Sequence, residues 1–110
     1  MKYNETRIYR RSIELVSIVR EVIDGLPPGY AFLADQLRRA VSSVPLNFAE
    51  GAGKMSQRDR RRYFIMARGS ANEVAAAFDV ASAFGLISVE VCNHGKELAD
   101  QIAGMLSRFQ

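Results

Sequence analysis

Apolar residues recur along this chain at spacings of three and four, the period of an α-helix buried on one face. Ile8, Ser12, Leu15, Val19, Val22 and Leu26 form the first such stripe. It predicts a helix over residues 5–24, with Asn4 as its N-cap. Val16, Ile18 and Ile23 widen the stripe, so one partner helix would not cover it. The run DGLPPG, Asp24 to Gly29, ends the pattern. Pro27 and Pro28 cannot continue a helix, and the two glycines favour a turn.

A second stripe, Leu33, Leu37, Ala40, Val44 and Phe48, predicts a helix starting near Tyr30. Pro45 falls inside it. Proline removes one backbone hydrogen bond and crowds the carbonyl four residues back, a cost of about 3 kcal/mol in a helix interior. The apolar register holds from Val41 to Phe48, so the expectation is a kink rather than a break. GAGKMS, Gly51 to Ser56, is the next interruption. Ser56 then caps a third helix over Gln57–Phe84, with Asp59 placed to complete an approximate capping box. Tyr63, Phe64, Ala67, Ala71, Val74, Phe78 and Ala81 make its stripe. From Val74 to Phe84 it is apolar almost all round, which implies burial on several sides and a subunit interface. Gly85 is the expected C-terminal stop. Ser88 can cap a fourth helix whose stripe reads Val91, Leu98, Ile102, Met105 and Phe109, with His94 at the intermediate position.

No stretch alternates as a strand would, and no repeat or low-complexity segment is present. The 110 residues are expected to form one domain, 1–110: an all-α, up-down antiparallel four-helix bundle. Hydrophobic residues make up 48% of the chain, enough for a real core. No apolar run reaches the roughly 20 residues that span a bilayer. The opening MKYNETRIYRRS lacks the apolar core of a signal peptide, and Cys92 stands alone, so a reducing cytoplasm is the expected location.

Charge sharpens this picture. Residues 54–68 carry Lys54, Arg58, Arg60, Arg61, Arg62 and Arg68 against Asp59 only, a net +5 within a chain whose net charge is +3. Four of those arginines lie in the first two turns of the third helix, where cations oppose the helix dipole. Such a patch suits an anionic partner, a phosphate backbone above all. Carboxylates elsewhere in the fold could pair with it instead.

Enzyme chemistry finds no support. His94 could borrow only Glu90 and Glu97 as fellow ligands, so no metal site is expected. Cys92 lacks the surroundings of a catalytic thiol, and GAGKMS lacks the spacing of a phosphate loop. No catalytic residue and no cofactor is assigned. More informative is a polar line on the second helix, Gln36, Arg39, Ser43, Asn47 and Glu50. On the third helix, Arg68, Ser70 and Glu73 surround Gly69. If the small residues around Gly69 pack on Ala49, Gly51 and Gly53, Glu50 could meet Arg68 and Arg39 could meet Glu73. The result would be a polar network that fixes helix register.

The runs QLRRAVSSVPLNFAEGAGKMS and RRRYFIMARGSANEV resemble a family of small bacterial four-helix bundle proteins. Its first members were encoded in intervening sequences within 23S ribosomal RNA genes, and it is also labelled S23. The family pattern reads approximately Q-L-R-R-A, S-I-P-x-N-I-A-E-G, R-F and A-R-G-S-x-x-E. Those positions are Gln36 to Ala40, Ser43 to Gly51, Tyr63 with Phe64, and Ala67 to Glu73. Val44 and Phe48 stand where isoleucine is usual, and Tyr63 stands where arginine or another polar residue is common. The resemblance covers nearly the whole chain. It implies the up-down bundle, a second helix running through its proline, and a homopentameric ring. The accessory protein of diversity-generating retroelements is a relative with the same bundle and assembly, and it binds a reverse transcriptase.

The expectation is therefore a non-enzymatic homo-oligomer that binds RNA or DNA, structured RNA foremost. Lys54, Arg58, Arg60, Arg61 and Arg62 would contact it. The alternative is an adaptor ring for a protein partner such as a reverse transcriptase, with no direct nucleic-acid role. No membrane partner is expected.

Overall fold

The first helix starts at Thr6, not at Asn4. Its hydroxyl accepts from the Tyr9 backbone N–H at 3.1 Å, satisfying an orphan donor of the first turn. Asn4 lies instead in a short 3-10 turn, Tyr3–Glu5, just upstream. Both residues are legitimate cap types, and the sequence offers no means of choosing between them.

The computed structural model describes residues 1–109 and contains four long helices: α1 (Arg7–Asp24), α2 (Ala31–Ala52), α3 (Gln57–Ala83) and α4 (Val89–Arg108). There is no strand among the described residues. The chain forms a rod of 44 × 22 × 19 Å.

On α1, Ile8, Ser12, Leu15, Val19 and Val22 are all buried, as the stripe requires. Ser12 is fully enclosed, and its hydroxyl donates to the Ile8 carbonyl at 2.8 Å, so no polar group is left unpaired. The turn into α2 passes through Gly29 at φ +100°, a conformation that side chains with a Cβ rarely adopt.

α2 runs through Pro45 without interruption. Around it, the hydroxyls of Ser42 and Ser43 donate to the carbonyls of Arg38 and Arg39, and the Asn47 amide donates to the Ser43 carbonyl. These side-chain bonds supplement the backbone ladder on either side of the missing donor. Pro45 itself is buried, with Val44 and Phe48 beside it in the core.

Two glycines set how closely the helices approach. A Cβ on Gly51 would lie 2.8 Å from the Phe64 ring and 2.9 Å from the Cβ of Tyr63, so the end of α2 sits directly on the start of α3. A Cβ on Gly95 would lie 2.5 Å from the Phe78 ring, so α4 touches α3 there. Gly69 differs: nothing lies within 4 Å of the place its Cβ would occupy. Gly69 itself is solvent-facing in the single chain, while Ala67 and Ala71 beside it are buried, and Gly51 makes the close glycine contact between α2 and α3.

The stripe of α4 keeps Leu98 and Ile102 but shifts by one residue on either side of them, from Val91 to Cys92, from His94 to Gly95 and from Met105 to Leu106. Cys92, Gly95, Leu98, Ala99, Ile102 and Leu106 are buried, while Val91 and His94 are exposed. Val91 and Cys92 are both apolar, and the choice falls to the position next to Phe78. The Cys92 thiol points at the Phe78 carbonyl, 3.5 Å away. α3 closes with the paired bonds of a Schellman motif. Leu86 N–H reaches the Ala81 carbonyl and Gly85 N–H that of Ser82, with Gly85 at φ +74°.

The core is one cluster contributed by all four helices, centred on Phe48, Phe78, Leu15, Leu37 and Ile102. At one end of the rod Phe48 stacks on Phe64, and Phe109 meets both rings edge-on at 5.5 and 5.4 Å. At the other end Tyr30, Phe32 and Phe84 form a second aromatic trio, with centroids 5.7–6.3 Å apart. The second trio is open to solvent: Phe32 is 58% and Phe84 is 53% exposed.

Candidate nucleic-acid interface

The basic segment occupies the α2–α3 connection and the first turns of α3. Ser56 caps α3 as expected, accepting from the Asp59 N–H at 3.1 Å. The cap fixes the helix start, and the helix then fans the arginines around its axis.

Arg58, Arg61 and Arg62 are exposed and Arg60 is half-buried. None of the four pairs with a carboxylate among the described residues; the ion pairs of the chain lie elsewhere. Arg60 donates from Nε to the Lys54 carbonyl at 2.8 Å, which ties the connection to the helix. The Arg62 guanidinium lies 4.9 Å from the centre of the Tyr63 ring, a cation–π distance.

Lys54 is differently placed. Its ammonium sits 3.1 Å from the Glu50 carboxylate and 5.3 Å from the Tyr63 ring centre. The hydrogen bond to Glu50, followed by the attraction of that carboxylate's charge, raises its pKa above the ordinary lysine value. Lys54 therefore stays charged, but the Glu50 carboxylate at the end of α2 balances it, and the arginines carry the unbalanced charge.

The polar line of α2 is largely satisfied within α2. Arg39 donates to the Asp35 carbonyl, Ser43 to the Arg39 carbonyl and Asn47 to the Ser43 carbonyl. Gln36 is the exception, donating across to the Glu73 carboxylate on α3. The expected Glu50–Arg68 and Arg39–Glu73 pairs do not form among the described residues. Glu50 takes Lys54, and Arg68 turns towards α4, where its Nη1 donates to the Ser107 hydroxyl at 3.3 Å. Ser70 is half-buried beside Gly69 and joins none of these bonds. What the sequence suggested as a network is a row of local bonds with two separate inter-helix bonds, Gln36 to Glu73 and Arg68 to Ser107.

Arg68 leads to a feature that the sequence reading missed. Arg58, Arg60, Arg61 and Arg68 border a single cavity of about 450 Å³ between the start of α3 and the end of α4. Ser107 and Phe109 close it from the α4 side. The only sequence signal for this was the apolar Phe109 ending a helix that would lie beside the arginines.

The chain matches the family model described as 23S rRNA-intervening sequence protein over residues 4–108. It belongs to that family. A crystal structure of a protein with unknown function from the S23 ribosomal protein family of Bacteroides thetaiotaomicron VPI-5482 superposes with a TM-score of 0.84. It covers 92% of this chain and 95% of its own, at 17% identity. The likeness at that identity extends to the fold. No curated protein matches the chain.

Proposed function

We propose that this family member is a non-enzymatic homo-oligomer, a ring of up-down antiparallel bundles, that binds nucleic acid, RNA foremost, through the basic start of α3. The supporting observation is the set of arginines there. Arg58, Arg61 and Arg62 face solvent, oppose the dipole of their own helix and have no carboxylate partner among the described residues. An external polyanion supplies the missing counter-charge, and several copies on a ring multiply a weak patch into an avid one. Contacts of this type read phosphates rather than bases and weaken steeply with salt.

Other features support the assembly. The Phe48–Phe64 contact at one end of α2 and α3 and the Tyr30–Phe84 contact at the other fit helices that run in opposite directions. Leu46, Met66, Val80 and Phe84 are large apolar residues left exposed on a single chain, as an oligomer would require. None of the described helices is long and apolar enough to cross a membrane. The aromatic trio at Tyr30, Phe32 and Phe84 gives the adaptor reading its own footing, because a protein partner could seat there.

Binding of an RNA hairpin at increasing salt tests the proposal. Tight binding at low salt, lost on changing Arg60, Arg61 and Arg62 to alanine, supports it. Absence of binding at low salt sinks it. Capture of one stoichiometric protein partner that survives nuclease and high salt would favour the adaptor.

A further inference from the structure

Arg58, Arg61, Ile65 and Arg68 follow one another at spacings of 3, 4 and 3, so they share one face of α3. That face looks into the 450 Å³ cleft. An isoleucine in the middle of an arginine row is out of place on a solvated surface. Ile65 is 48% exposed and contributes nothing to the buried core. Opposite it, α4 brings the half-buried Phe109, whose ring is held edge-on by Phe48 and Phe64.

The cleft therefore combines a cationic rim with an apolar floor. Its volume falls in the range of small-ligand sites, about 300–1,000 Å³. A phosphodiester backbone running over the outer arginines needs no floor, and an inorganic phosphate would leave the floor uncovered. A nucleotide has both parts: an anionic phosphate and a flat base whose faces are poorly hydrated.

Arg68 points the same way. It is half-buried, lies about three turns inside α3, and has only the neutral Ser107 hydroxyl as partner among the described residues. A half-buried cation is stabilised by a counter-charge, and none stands beside it among the described residues.

We propose that this cleft seats one unpaired nucleotide of a single-stranded nucleic acid. Arg58, Arg61 and Arg68 hold its phosphate, and Ile65 and Phe109 cover its base. The proposal rests on the nucleic-acid reading above and adds strand selectivity to it. A duplex keeps its bases stacked inside and offers the cleft nothing but phosphates. A single strand can turn one base outwards, and a stacked base contributes about 1–3 kcal/mol, at least about fivefold in affinity.

Fluorescence anisotropy with the full chain distinguishes the outcomes. The probes are a labelled oligouridine and a blunt RNA duplex of equal length at one low salt concentration. The expected result is at least about fivefold tighter binding of the single strand. Ile65→Ser should abolish that preference while leaving duplex affinity within about twofold, and Arg68→Gln, which removes a phosphate contact, should weaken both probes and the single strand more. Ile65 is exposed, so its variant keeps the core intact, and circular dichroism verifies the fold of both. Equal affinity for the two probes, or a preference that survives both substitutions, overturns the cleft and leaves the arginine patch standing. No binding of either probe overturns both readings.

Discussion

Gly95 lies flat beneath the ring of Phe78, at a separation that leaves no room for a methyl group: a Cβ there would meet the ring at 2.5–2.8 Å. Phe78 is fully buried and cannot swing into solvent. Gly95→Ala must therefore displace the ring or separate α3 from α4. Overpacking of this kind costs about 1–3 kcal/mol, against a helix-propensity gain of up to about 1 kcal/mol. The expected net effect is a lower urea midpoint with an unchanged slope. An unchanged or higher midpoint would mean that the Phe78 ring has another place to go.

Gly69 predicts the opposite. It is helical, exposed and open where its Cβ would stand. Gly69→Ala should stabilise the chain by about 0.5–1 kcal/mol through helix propensity alone. Thermal unfolding checks it. Loss of stability together with a fall in solution mass would mean that another copy brings its backbone against this position.

The helices were legible in the sequence because each keeps a helical stripe between strong breakers such as Pro27–Pro28 and Gly85. Register and pairing were harder. Val91 and Cys92 are both apolar, and the packing of α4 on Phe78 through Gly95 turns Cys92 inwards. Ser43 and Asn47 look like inter-helix donors in a helical projection, yet each can reach a carbonyl of its own helix, and local bonds need no long-range alignment. The arginines stood out as charge, but the cleft needs Ser107, which is 39 residues from Arg68 in the chain. No spacing rule connects the two.

The exposed trio of Tyr30, Phe32 and Phe84 should matter to assembly as well as to folding. Phe32→Ser with Phe84→Ser removes two rings that are more than half exposed in the single chain. Unfolding free energy should fall by about 1–3 kcal/mol, since just under half of each residue is buried. Light scattering should show a smaller particle if the trio is a subunit contact. An unchanged mass would place the subunit contact elsewhere and leave the trio free for a different protein.

The Lys96–Asp79 pair makes a prediction about alkaline pH. Its ammonium lies 2.8 Å from the carboxylate, and this hydrogen bond, then the charge of Asp79, raises the lysine pKa. Asp100 adds to the rise, and Cys92 stands close enough to contribute. Folding therefore favours the charged lysine. The stabilisation is complete below the unfolded lysine value of about 10.4 and disappears as pH rises through the higher folded value. The stability gap between wild type and Lys96→Met should stay level from neutral pH to about 9 and close above about 10.4. A gap that closes near neutrality would assign the effect to another group.

Arg58 and Phe84 are both anchored to α3, 26 residues apart, which is about 39 Å at 1.5 Å per residue. Charge effects decay over about 8 Å at physiological ionic strength, so the two ends do not sense each other electrostatically. Ionic strength then becomes a control that acts on one end only. Raising it should weaken an anion held by the arginines, as the proposed function requires, and should leave an apolar contact at the aromatic trio unaffected. The rod thus carries a charged end and an apolar end that answer to different solution conditions.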